Sequence, residues 1–259
     1  MNILDKIVAH KKIEVVQAQQ QASIQQLENK ILFQRHTVSL THNVLKENST
    51  GIISEFKRKS PSKGIINNKS EAADVVKEYE NAGVSGSSVL TDEQFFGGTI
   101  QDFISVRECV SIPLLRKDFM IDEYQFIEAK SIGADVVLLI ASILTPAQVI
   151  VFTDLAKSLQ LEVLLELHDE TELNHVYHKV DMVGINNRNL KTFEVDIEQS
   201  IRMADKLGNG FVKVAESGIS TIETFKHFKQ NGFQGFLIGE NFMKTSNPGR
   251  ACLDFISQL

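Results

Sequence analysis

The chain has 259 residues, of which 42% are apolar and 23% charged, and a net charge of −6. That acidic balance argues against a nucleic-acid partner, which calls for a basic excess or stripe. No apolar run approaches the ~20 residues that span a bilayer. The local cluster Lys57-Arg58-Lys59 inside this background suits a small anionic ligand. Two cysteines, Cys109 and Cys252, lie far apart and form neither a disulfide framework nor a zinc spacing. With no signal-peptide core at the N-terminus, a cytoplasmic location is expected.

Residues 1–48 read as a helical N-terminal extension. Ile3, Leu4, Ile7, Val8 and Val15 fall at helical spacing, and a second short helical pattern follows a Gln-rich stretch. From residue 49 to 259 the pattern changes to that of a barrel, and the whole chain is expected to form one domain. Short apolar runs recur at 51–57, 86–92, 112–118, 134–141, 161–167, 181–187, 211–217 and 235–241. Amphipathic segments separate them, among them Ser70–Ala82, Asp122–Ile132, Pro146–Leu159 and Ile219–Asn231. Gly133 reads as a helix C-cap before the fourth run. Apolar runs alternating with helices are the pattern of a parallel sheet, and eight of them favour an α/β fold of the closed (β/α)8, or TIM-barrel, type.

Charged and polar residues gather at the ends of these runs. Glu55 and Lys57 close the first, Lys117 and Asp118 the third, and Glu166 the fifth. Asn187 and Arg188 follow the sixth, and Glu216 and Ser217 close the seventh. In a barrel the C-terminal strand ends converge on one mouth, where active sites lie. Glu55 and Lys57 are two apart and therefore face the same way. By the same alternation Arg116 faces away from Lys117 and reads as structural. Ser217-Gly218 and Gly239-Glu240 end the last two strands, where barrels often hold phosphate on backbone N–H groups. A tight turn without a ligand explains the same glycines.

These residues stand in segments that resemble the indole-3-glycerol phosphate synthase family. The segments are ISEFKRKSPSKG (53–64), SVLTDEQFFGG (88–98), PLLRKDFMIDEYQ (113–125), ADVVLLIASIL (134–144), LEVLLELHDETEL (161–173), VGINNRNLKTFEVD (183–196), VAESGI (214–219) and GFLIGENFM (235–243). The resemblance implies a cofactor-free, metal-free enzyme acting on an anionic sugar phosphate. The substrate would be 1-(2-carboxyphenylamino)-1-deoxyribulose 5-phosphate; the products are indole-3-glycerol phosphate, carbon dioxide and water, a step of tryptophan biosynthesis.

By that resemblance Lys117 is the general acid for ring closure and Glu166 the general base. Lys57 holds the substrate carboxylate and serves the dehydration, while Glu55 bonds the sugar and positions Lys117. Asn187 orients the substrate, followed by Arg188. Ser60, Glu216 and Ser217 are substrate contacts, and Phe95, Phe119 and Leu190 wall the aromatic ring. Gly218, Gly239 and Glu240 contact phosphate through their N–H groups. Many relatives carry a small hydroxyl residue where Glu240 stands, so its side chain is expected to turn away.

Plainer readings accompany these. Glu55 and Glu166 could be salt-bridge partners, and Phe95, Phe96 and Phe119 simple packing. His168 follows Glu166 by two, but is read as a loop residue contacting its neighbours rather than a catalytic one. The Ser60–Asn68 segment, with Pro61 and Gly64, is the candidate mobile lid. The chain is expected to end with the barrel, without a fused isomerase, and a monomer is the simplest expectation. Two other readings fit less well. A barrel of the phosphoribosylanthranilate isomerase or tryptophan synthase α type would need a catalytic Cys/Asp or Glu/Asp pair, which Glu55-x-Lys57 and Lys117-Asp118-Phe119 do not supply. A non-catalytic sugar-phosphate binder would have no use for Lys57, Lys117 and Glu166 as acids and base.

Overall fold

The computed structural model describes residues 3–188 and 194–259. Eight parallel strands close into a barrel: β1 (Ile52–Phe56), β2 (Gly86–Leu90), β3 (Leu114–Lys117), β4 (Val136–Ile140), β5 (Glu162–Leu167), β6 (Met182–Asn186), β7 (Val212–Glu216) and β8 (Gly235–Ile238). Each strand pairs with its sequence neighbours, and β8 returns to β1 through Ile53 and Leu237. The fold is a (β/α)8 barrel, as the eight apolar runs predict.

Alternation along the strands divides the apolar residues into two cores. Ile53, Leu115, Val136, Leu138, Leu164, Met182, Val214 and Leu237 fill the barrel. Residues of opposite phase, such as Val137, Leu139, Val163 and Leu165, pack outward against the helices. Helices α4 (Ala72–Ala82), α6 (Ile100–Cys109), α7 (Tyr124–Ser131), α8 (Pro146–Ser158), α9 (Ile197–Leu207), α10 (Ile222–Gln230) and α12 (Pro248–Ile256) form the outer ring, with the short α5 (Glu93–Phe96) and α11 (Glu240–Met243) inserted after β2 and β8. After β5 the helical pattern shrinks to a 3-10 segment, Glu170–His175. Its polar residues bind local backbone instead of propagating a helix: Asp169 accepts from the Thr171 N–H at 2.8 Å. Gly133, in the left-handed region at φ 86°, follows α7 as expected of a helix terminus.

The N-terminal extension closes the barrel at both ends. α1 (Ile3–Gln21) buries Ile7, Lys11 and Val15, one face at four-residue spacing, and lays Ile7 over the C-terminal mouth. After α2 (Ile24–Glu28) the chain descends past α7, and α3 (Leu40–Leu45) plugs the other end with Leu40 and Val44. Glu162, at the start of β5, accepts the Leu40 and Thr41 N–H groups at 2.9 and 3.0 Å, anchoring the first turn of α3. Among the described residues no helix is long and apolar enough to cross a membrane.

Candidate active site

The inward residues at the C-terminal ends of five strands meet at the mouth. Lys117 stands at the centre, its Nζ 2.5 Å from Glu216 Oε2, 3.3 Å from Glu166 Oε2 and 4.0 Å from Glu55 Oε2. Lys57 reaches back to Glu55 Oε1 at 2.5 Å. Asn186 donates to Glu166 Oε1 at 3.0 Å. All three glutamates are buried, Glu216 to 1% exposure, so this is a low-dielectric cluster.

Two glycines make room for it. A Cβ on Gly184 of β6 would lie 2.2 Å from Glu216 Oε1, and one on Gly239 would lie 2.4 Å from Glu55 Oε1. Any side chain at either position would push a carboxylate out of the cluster.

The electrostatics separate the groups. Burial alone would lower the Lys117 pKa, but the facing charges of Glu216, Glu166 and Glu55 outweigh it and raise it above the ordinary lysine value. Glu166 is held below the usual carboxylate range, since Lys117, His168 and Asn186 together overcome its burial. Glu216 goes the other way: burial and the nearby charge of Glu166 push it up to about 7 despite Lys117.

An apolar roof covers the cluster. Ile3, Leu4 and Ile7 of α1 face Phe96, Phe119, Leu138 and Ile140 across the cavity, whose polar side is Lys117, Glu55, Glu166, Asn186 and Arg188. The Phe96 and Phe119 rings lie 5.9 Å apart, tilted by 37°. A small adjoining recess, sharing Arg188 and Ser217, is lined by Gly218, Gly239, Glu240 and Asn241. Ser217 and Gly218 both have positive φ, 66° and 74°, which curls the backbone there.

A model of the indole-3-glycerol phosphate synthase family matches residues 4–255. The chain belongs to that family. The indole-3-glycerol phosphate synthase of Bacteroides thetaiotaomicron is 46% identical over 258 residues, covering 100% of this chain and 99% of its own. That of Campylobacter fetus is 38% identical, covering 97% and 98%. Among solved structures, 3-hexulose-6-phosphate synthase from Salmonella typhimurium aligns with a TM-score of 0.61 at 13% identity, over 80% of this chain and 98% of its own. Thiamine phosphate pyrophosphorylase from Pyrococcus furiosus aligns at 0.59 and 14% identity, over 85% and 98%. These distant likenesses concern the barrel.

For a family member of this sequence, Lys117, Glu55, Glu166, Glu216, Lys57, Phe119, Arg188 and Ser217 come together at the mouth, and Ser60 borders it. Gly218, Gly239 and Glu240 form the recess, and the Glu240 side chain turns to Arg188 at 3.1 Å and toward Lys63 at 3.8 Å. Leu190 lies outside the described residues.

Two positions shift by one residue. The amide at the end of β6 that enters the mouth belongs to Asn186, in phase with Met182 and Gly184, whereas Asn187 turns away and donates to the Ser217 carbonyl at 2.6 Å. Counting by twos from Met182 puts Asn186 in the inward phase. Likewise Phe96, not Phe95, lines the roof; Asp92 caps α5, and the helical turn sends Phe95 onto His10 at 5.9 Å. Arg116 is buried on the outer face, 2.7 Å from Glu128 and 3.1 Å from Asp118. The candidate lid contains a small hairpin, Lys59–Ser60 against Gly64–Ile65, tied to the Arg58 carbonyl by the Ile66 and Asn67 N–H groups. His168, read as a loop residue, is buried beside Glu166.

Proposed function

We propose that the chain converts 1-(2-carboxyphenylamino)-1-deoxyribulose 5-phosphate to indole-3-glycerol phosphate, and that Lys117 is its general acid. The observation that carries the reading is a lysine kept cationic by three buried carboxylates, beneath an apolar roof and beside a glycine-lined recess bordered by Arg188. As the ring carbon bearing the carboxylate attacks the sugar ketone, negative charge grows on the ketone oxygen. The Lys117 ammonium meets that charge and supplies the proton. Breaking the bond to the carboxylate releases carbon dioxide and restores the aromatic ring. Loss of the hydroxyl as water then needs one acid and one base, for which we assign Lys57 and Glu166.

The roof residues Phe96 and Phe119 would hold the aromatic ring and exclude water from the intermediates. Arg188, Asn186 and Ser60 would orient the substrate, with Glu55 and Glu216 bonding its hydroxyls. The phosphate would sit in the recess on the N–H groups of Gly218, Gly239 and Glu240. The test is a fluorescence assay of indole-3-glycerol phosphate formation by wild type and Lys117→Ala. A folded variant slowed by about a thousandfold supports both reaction and acid. Full activity in that variant would move the acid to Lys57, and an inactive wild type that binds sugar phosphate would favour the non-catalytic barrel.

A further inference from the structure

Two buried carboxylates, Glu166 and Glu216, both contact the Lys117 ammonium. Proximity to the ammonium does not choose between them; Glu216 is in fact nearer. What distinguishes them is a second basic group. His168, the residue after β5, is 8% exposed in its side chain and brings Nε2 to 3.0 Å from Glu166 Oε1. This is a charge contact rather than an aligned hydrogen bond. The far side of the ring faces Glu172 Oε2 at 3.7 Å and Ser142 Oγ at 3.4 Å. Glu172 also accepts the His168 backbone N–H at 2.6 Å, so one carboxylate bonds the backbone and faces the ring.

The groups facing each member are of opposite character. Around His168 stand Glu166, Glu172 and Ser142, while Gln199 of α9 donates to its carbonyl. Around Glu166 stand Lys117 from β3, Asn186 from β6 and His168, with the charge of Glu216 beyond Lys117. An imidazole buried between two carboxylates is stable as the cation, and its pKa is raised to about 10 although burial opposes this. Glu216 meets Lys117 alone, and its Oε1, packed over Gly184, has no hydrogen-bond partner among the described residues.

We propose that His168 is a positioning residue whose imidazolium selects Glu166, over Glu216, as the ionised carboxylate beside Lys117. The inference rests on the reading of Glu166 as the base. Two carboxylates a few ångströms apart in a buried site resist ionising together, so the proton they share goes to the one with less positive charge nearby. His168 supplies the difference without touching the substrate.

The test is kcat and KM as a function of pH for wild type, His168→Gln, Glu172→Gln and Glu166→Gln. In His168→Gln, which keeps a side-chain donor but loses the charge, the acid limb of kcat should move up by about one pH unit, a tenfold loss on that limb, with KM little changed. Glu172→Gln should move the limb the same way by less. A purely structural role for His168 would lower stability or kcat at every pH without moving the limb; that result, in both variants, overturns the proposal. Glu166→Gln separates the two readings. If it stays active, Glu166 is not the base; if it is inactive while the limb of His168→Gln is unmoved, only the role of His168 falls. NMR titration of the histidine rings in the wild-type protein needs no stable His168 variant, the resonance being identified by its shift in Glu172→Gln. A His168 ring still cationic at about pH 8 supports the proposal, and a ring neutral at about pH 7 overturns it.

Discussion

Lys11 of α1 lies 2.8 Å from Asp118, the residue that follows Lys117. The same ammonium is 3.1 Å from Asp92 and 2.5 Å from Glu14. Asp118 in turn accepts the Phe119 N–H at 2.8 Å and the Thr91 hydroxyl at 2.7 Å, and Asp92 caps the helix that carries Phe96. One buried lysine therefore ties the roof helix to both roof aromatics and to the strand end bearing Lys117. Lys11→Met, which keeps the apolar stem, should raise KM about tenfold, equivalent to about 1.4 kcal/mol, with kcat nearly unchanged. Steady-state kinetics with thermal melts check this; a lower melting temperature at unchanged KM would reduce Lys11 to a fold-stabilising residue.

Asn186 and Asn187 are adjacent, chemically identical and oppositely directed. Asn186→Ala removes a donor from Glu166 and should lower kcat/KM by roughly tenfold to a hundredfold while sparing the melting temperature. Asn187→Ala removes a bond to the Ser217 carbonyl and should cost stability, about 1 kcal/mol, with a smaller effect on turnover. Comparing the pair by kinetics and denaturant unfolding decides the matter, and the reverse pattern would return the role to Asn187.

Glu216 carries a predictable pH signature. Its folded pKa is raised from the ordinary 4.5 to about 7, so between these values the native state holds a proton that the unfolded chain has released. Stability therefore falls as pH rises through that window; the penalty is absent below about 4.5 and complete above about 7. Glu216→Gln removes the titration. The melting temperature of the variant relative to wild type should be higher at pH 8 than at pH 5, by about 2 °C or more. A difference constant across that range would mean Glu216 is ionised throughout.

The barrel was legible in the chain, because short, nearly continuous apolar runs separated by helices have few other ways to bury both faces of a sheet. The sequence also placed charged residues at the strand ends: Glu55, Lys57, Lys117, Glu166 and Glu216 stand where a barrel's mouth must be, and all five come together there. At β6 the alternation also held the answer, since Met182, Gly184 and Asn186 share a phase. Phe95 and Phe96 were harder, because successive residues of a one-turn helix diverge and only the Asp92 cap orients the turn.

The rest emerges only on folding, because it depends on groups distant in sequence. No local pattern brings Lys11 to Asp118 or places Ile7 over the mouth; these follow from how α1 docks on the closed barrel. Nor does composition say that Gly184 and Gly239 are spaces for Glu216 and Glu55. The charge states are the furthest from the sequence: Lys117 is raised and not lowered, and Glu166 and Glu216 move apart, because burial and the sum of neighbouring charges act through space at distances only the folded chain sets.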